Sequence, residues 1–218
     1  MPTRWALFAL CSALLGFAAP APAQSDAKPV ISLNPLTAEE LAVYRAVLAG
    51  WMDKDTPTVN LADRTVPPGV TDPADDGDKG CGKGLDLEPS SPTLVRRFRP
   101  VDLTQLGLGE FRLIDPGQGA REMKKNDPEN AIRKGESIED AVRNGFAHGL
   151  FTLSEIQFDK KHEHAIVSYS FVCGGLWGSG ATLILKKTAE GWQAGGTCDN
   201  WISLTAPPSS RVARAPAA

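Results

Sequence analysis

Few residues in this 218-residue chain have chemistry to offer. A thiolate nucleophile needs a base within reach and a carboxylate that orients the base. Cys173, His148 and Asp199 make such a set if the strands carrying them end at one place. The amides of Gly174 and Gly175 could then form an oxyanion hole. Against this stands the ordinary behaviour of free cysteines, which pack as small buried hydrophobes, with glycines that simply turn the chain. His162 and His164 alternate around Glu163, so on a strand both imidazoles would share a face and could meet a metal ion. No third ligand stands near them, and an exposed polar hairpin tip is the simpler reading. Asp72, Asp75, Asp76 and Asp78 lack the alternating ladder and closing glutamate of a calcium loop. Gly178-Ser179-Gly180 lacks the flanks of a nucleophile elbow. The pattern specifies no resident metal and no cofactor.

Residues 151–203 must position these groups. Leu153, Ile156 and Phe158 sit among polar residues, as in a half-buried strand. Residues 159–163 are polar and reverse the chain. Residues 165–172 are β-branched and aromatic, as strands prefer. Gly174, Gly175, Gly178 and Gly180 fill a connection needing unusual backbone angles or close approach. Strands over 181–185 and 192–197 follow, joined by a polar turn ending at Gly191, with a bulge expected at Gly195-Gly196. Trp201 and Ile202 would close the sheet against the core. Turns near 161, 176–177 and 189–190 set Gly149 across from Cys173, Cys173 across from Gly180, and Gly180 across from Asp199. His148, Cys173 and Asp199 then share one sheet end. His162 and His164 fall about 30 Å away, at the other. In this register Cys173 and Cys198 lie two strands apart, about 9.6 Å, too far for a disulfide. Cys81, on the long loop, can pair with either of them; the reading leans to Cys81–Cys198 with Cys173 free, a lean that a bulge at Gly195-Gly196 would weaken.

The chain opens with Arg4, an apolar run over 5–19 and the small-residue site Ala21-Pro22-Ala23. That is a secretory signal over residues 1–23, too short to span a membrane, and it places the product in the periplasm or outside the cell. Cys11 lies inside the apolar run and is no lipoprotein site. The rest, about 195 residues, suits one domain. A lead-in covers 24–35, a single α+β domain 36–204, and a disordered tail 205–218. Thr37 and Glu40 form a capping box flanked by Leu36 and Leu41. Leu41, Tyr44, Leu48 and Trp51 follow at helical spacing and predict a helix over 38–52 packed on the sheet. A strand is expected at 58–62, edge strands at 94–98 and 110–114, and a helical turn at 102–106. Residues 115–134 read as polar and irregular. A short helix capped by Ser137 should stop at Asn144-Gly145. The loop 66–93, rich in Gly, Pro and Asp, is long for a compact domain.

Lys and Arg number 23 against 26 Asp and Glu, with Arg4 in the leader. That mild acidity offers no footprint for nucleic acid, and no later run could span a membrane. The short basic clusters, Arg96-Arg97-Phe98-Arg99 among them, read as solvated faces.

Leu153-Ser154-Glu155-Ile156-Gln157-Phe158, the run from Cys173 to Gly180, Lys186-Lys187, Gly191-Trp192 and Trp201-Ile202-Ser203 together give LSxxxF, CGGLxGxG, KKxxGxW and WIS. This resembles a group of uncharacterised bacterial exported proteins. The resemblance implies a fold and no activity. Members often carry a second cysteine after the CGGL turn, where this chain has Trp177. The combined expectation is α+β: an N-terminal helix packed on a curved antiparallel β-meander, cystatin-like or NTF2-like by analogy. The leading functional reading is a non-catalytic module of the bacterial envelope that binds a small ligand or an envelope protein. The alternative is a small cysteine- or metal-dependent hydrolase using Cys173, His148 and Asp199. A third reading is a peptide-binding or inhibitory module using a sheet edge or the long loop.

Overall fold

The structure, a computed structural model, describes residues 29–50, 58–68, 81–91, 93–107, 111–175 and 177–203. The leader, Trp51, the aspartates at 72–78 and the tail lie outside the described residues. In chain order the elements are β1 (Val30–Ser32), α1 (Ala38–Ala49), β2 (Val59–Ala62), β3 (Leu94–Arg96), α2 (Pro100–Leu106), β4 (Phe111–Ile114) and α3 (Pro116–Lys125). Then come α4 (Pro128–Arg133), α5 (Ile138–Ala147), β5 (Leu150–Leu153), β6 (Gln157–Phe158), β7 (His164–Val172), β8 (Gly178–Thr188) and β9 (Gly191–Ser203).

A seven-stranded sheet runs β4-β2-β5-β7-β8-β9, with β6 paired to β7. β1 and β3 form a separate parallel pair. The β2/β4 and β2/β5 pairs are parallel, and the pairs from β5 to β9 are antiparallel. The expected curved antiparallel meander is therefore corrected: the sheet is mixed and open, and the cystatin-like and NTF2-like analogy falls with it. The cause lies in β2. All four of its residues are buried, as in strands with parallel neighbours. Parallel pairing needs long crossovers. Helices supply them, two of which, α3 and α4, occupy the stretch read as irregular.

Those helices start on local chemistry. Asp115 accepts from the amides of Gly117 and Gln118, and Asp127 from that of Glu129, each followed by a proline in the first turn. Ser137 caps α5 as expected, but the helix passes Asn144-Gly145 and ends at Ala147. Thr37 and Glu40 form the full capping box on α1. Leu41, Val43, Tyr44, Val47 and Leu48 are buried there, and the Tyr44 hydroxyl donates to the Ser154 carbonyl at 2.9 Å. This face meets Leu61, Phe151, Leu153, Val167 and Leu185 in the main core. On the opposite face Met123 of α3 packs on Ala62, Ile114 and Leu150.

The first hairpin has the expected register: Leu150 pairs with Val172, which sets Gly149 beside Cys173. The second does not. Its strands meet at Val172 and Gly178, so Gly180 faces Ser170, and the Cys173 amide donates to the Trp177 carbonyl at 2.9 Å. Gly174 there has φ of 122°, which only glycine adopts easily. The third hairpin turns as expected, pairing Thr188 with Gly191, and bulges at the glycines. A second register shift falls between Gly180 and Thr182, opposite Asp199, whose φ is 51°. Bulged residues leave the regular strand conformation in this way. Trp201 is half-buried, and Ile202 is exposed rather than closing the core.

Candidate functional site

The Cys81–Cys198 disulfide is present, with its Cα atoms 6.0 Å apart across 117 residues of sequence, and Cys173 is free. The bridge ties the turn at residues 81–84 to β9. In the chain-entropy picture, closing so long a loop contributes about 4–5 kcal/mol. Asp199 belongs to this bridge, with its Oδ2 3.2 Å from Cys81 Sγ. Sulfur in a disulfide has no hydrogen to donate, so this is a contact and no hydrogen bond. Cys81, Cys198 and Asp199 would be close enough to act as ligands together, but the S–S bond occupies both sulfurs.

The Cys173, His148 and Asp199 set is not assembled. Asp199 lies beside the Thr182/Cys198 pair, whose other neighbour on β7 is Ser168. That is two strands across from Cys173 and four to five residues short of it, about 16–19 Å by strand geometry. His148 follows α5, and its Nδ1 donates to the Asn144 carbonyl at 2.9 Å. It lines a cleft of about 310 Å³ with Thr58, Asn60 and Arg112. Cys173 is buried, 2% exposed. Burial first, and then the negative charge of Asp127, push its thiol up to about 11. The expected oxyanion hole has an occupant of its own: the Gly175 amide donates to Asp127 Oδ2 at 3.1 Å. Each of these features works against a thiolate nucleophile.

The two histidines of the hairpin part company. His162, with φ of 54°, turns its Nδ1 to Glu39 of α1 at 2.9 Å and stacks on Phe158. His164 Nδ1 instead lies 3.1 Å from Asp159 Oδ2. Asp159 Oδ1 accepts from the amides of Glu163 and His164, at 2.8 and 3.0 Å. Burial works to raise the Asp159 carboxyl, but those hydrogen bonds and the His164 ring hold it below the usual carboxylate range. Ligand atoms of Asp159, Glu163 and His164 all lie within 4.8 Å of one another. The expected convergence of His162 and His164 is thus corrected: the cluster leaves out His162 and takes in Asp159, read in the sequence only as part of the reversal. A carboxylate opening a hairpin four and five residues before Glu163 and His164 is the signal that could have shown it.

A second constellation was absent from the sequence reading. Arg96 is not on a solvated face. Its side chain is 11% exposed, and its Nε and Nη2 donate to Glu155 Oε2 at 2.8 and 2.7 Å. Its Nη1 pairs with Glu40, and the Thr65 hydroxyl donates to the other Glu155 oxygen. Burial would pull the guanidinium down, and the bonds to Glu155 and Glu40 more than reverse that, so Arg96 titrates above its ordinary range. This network floors a cleft of about 240 Å³ whose walls include Ser90, Ser91 and Gln157. A larger, mostly apolar cleft of about 570 Å³ lies where the parallel strands end, lined by Arg64, Val66, Asp115 and Thr152 among others.

What the described residues hold together is an α+β domain with one disulfide and local clusters of Cys, His and Asp groups. None of their helices is long and apolar enough to cross a membrane. No family model, curated protein or solved structure gives a significant match to the chain.

Proposed function

We propose that the protein is a small exported hydrolase dependent on a divalent metal, with Asp159, Glu163 and His164 as the metal seat. This keeps the alternative drawn from the sequence and moves it to other residues. The observation that carries it is the 3.1 Å between Asp159 Oδ2 and His164 Nδ1, with Glu163 close by. Two ligands bound at about 2.1 Å to one ion stand roughly 3 Å apart. Two carboxylates and one imidazole suit zinc or manganese. Three protein ligands leave coordination positions open, the pattern of hydrolytic rather than structural sites. The ion's part, when bound, is to make a water acidic enough to attack at neutral pH. The backbone amides that grip Asp159 Oδ1 would fix its carboxylate and leave Oδ2 for the ion. Export rests on the residue 1–23 pattern and is supported by the disulfide, which persists in oxidising compartments.

The test is calorimetric titration of the EDTA-treated protein with Zn²⁺ and Mn²⁺, followed by assay on nitrophenyl ester and phosphate substrates. One ion per chain should bind. Asp159→Asn with His164→Ala should abolish binding while circular dichroism stays native. Absence of binding below about 100 µM metal, or equal binding by the double variant, overturns the reading.

The non-catalytic binding module has one observation in its favour. The 570 Å³ cleft lies at the carboxyl ends of β2, β4 and β5, where open sheets with parallel strands receive ligands. A saturable ligand there, with no metal uptake, would favour this reading.

A further inference from the structure

The geometry points to a binding site for a small primary ammonium ligand in the cleft above Arg96, Glu40 and Glu155. The cleft is about 240 Å³, room for a compact organic cation. Its floor carries two carboxylates against one guanidinium, one negative charge in excess, and Glu88 stands on the wall, shared with His162 Nε2 at 3.4 Å.

The hydrogen-bond inventory sets the sign of the ligand. Arg96 spends its Nε, Nη1 and Nη2 on the two glutamates. Glu155 Oε1 takes one bond, from Thr65. Glu40 Oε1 takes one, from Arg96, while its Oε2 serves the Thr37 amide and hydroxyl. A carboxylate oxygen accepts two. The charged floor therefore has acceptor capacity left on both carboxylates, while three of the five Arg96 N–H groups are engaged and its one positive charge is outnumbered two to one. A ligand that donates and carries positive charge is matched here, and an anion is opposed. Leu94, Ile156 and Phe158 form the apolar part of the wall, suited to a short alkyl chain. The cost of burying three charged groups is otherwise hard to justify on stability alone. This site is separate from the proposed metal seat and does not depend on it.

Nuclear magnetic resonance titration of the full chain with butylammonium chloride, at constant ionic strength and in EDTA, tests the site. Butanol and sodium butyrate serve as the neutral and anionic probes of the same shape. Saturable shifts are expected at the Ser90, Ser91 and Gln157 amides with butylammonium, at least tenfold weaker with butanol, and none with butyrate. Glu40→Gln removes one charge and keeps a single acceptor oxygen, enough for the Thr37 cap or for Arg96 but not both; with native circular dichroism it should weaken binding fivefold or more. Glu88→Gln, at the exposed rim, should weaken it two- to threefold with the fold untouched. Shifts that do not saturate, butanol binding as tightly as the cation, or unchanged affinity in both variants overturns the proposal.

Discussion

Replacing Arg96 with methionine tests whether the ion network is a buried one. The side chain is 11% exposed and its partner Glu155 only 4%. Methionine fills much of the same volume, so the loss is chiefly electrostatic. Glu155 is left as a carboxylate away from water, with the Thr65 hydroxyl as its remaining donor. Removing one partner of a buried pair costs about 3–5 kcal/mol. With a urea slope of about 2 kcal/mol/M, the unfolding midpoint should fall by about 2 M. That is a large share of the ~5–15 kcal/mol a domain usually has. The triple variant Arg96→Met, Glu155→Leu, Glu40→Gln removes the stranded charge as well and should recover most of the loss. Urea unfolding followed by tryptophan fluorescence reads all three proteins. A midpoint shift below 0.5 M for Arg96→Met, about 1 kcal/mol, would place the pair with surface salt bridges and refute the reasoning. A triple variant as damaged as the single one would show that packing, not charge, was lost.

Cys173 in the folded protein should alkylate with iodoacetamide at neutral pH at least a hundredfold more slowly than in urea, since a thiol near 11 is two decades poorer in thiolate than one near 9. Asp127→Asn keeps the α4 cap but removes the charge and the acceptor for the Gly175 amide, and should speed the reaction; fast alkylation of the native wild type sinks this account. The Asp115 carboxyl is held below the usual range by the Gln118 amide first, against burial, with the Gly117 amide and the charges of Arg64 and Arg121 adding to it. Its contribution to stability is thus complete above the unfolded value of about 3.9 and lost as pH falls through the lower folded value. Asp115→Asn, which still caps α3, should flatten the acid limb of stability against pH below about 4, and an unchanged limb counts against it. Gly180→Ala would set a methyl 2.6 Å from both the Tyr169 carbonyl oxygen and Trp201 Nε1. It should lower the thermal midpoint by several degrees, about 1–3 kcal/mol, whereas Gly196→Ala, which meets nothing within 4 Å, should not.

The antiparallel half of the fold was legible because its signals are local. The capping box of α1 and the turn at Gly191 depend on residues close in sequence, and each appears where expected; the strand read through Leu153, Ile156 and Phe158 instead breaks into β5 and β6, with Ser154 and Glu155 buried between them. The parallel half was not, because pairing of β2 with β4 and β5 joins segments about 50 and 90 residues apart with no turn to mark them. The helices of the crossover were hidden by Gly117, Gly119 and Pro116, which read as loop residues. Asp115-Pro116 and Asp127-Pro128 were nonetheless cap and first-turn pairs, and weighting position above composition would have found both helices.

Register decided the fate of the sequence-derived site. Two of three hairpin turns were placed correctly, yet the second was wrong by three pairs and β9 carries two register shifts. Those errors are enough to carry Asp199 away from Cys173, because each residue of slip moves a side chain about 3.3 Å and turns it to the other face. The exclusion of a Cys173–Cys198 bridge survived the same errors, because it needed only that those two not be neighbours. The Asp159 cluster depends on no long register at all, lying within six consecutive residues of one hairpin. The Arg96 network is the opposite case. It joins α1, β3 and the segment after β5, and nothing in Arg96-Arg97-Phe98-Arg99 distinguishes the buried arginine from its exposed neighbours. Strand alternation turns Arg96 inward to Glu155 and Arg97 outward to Asp63. A basic run within a strand therefore has two faces, and half of it should be tested for burial before the whole is assigned to solvent.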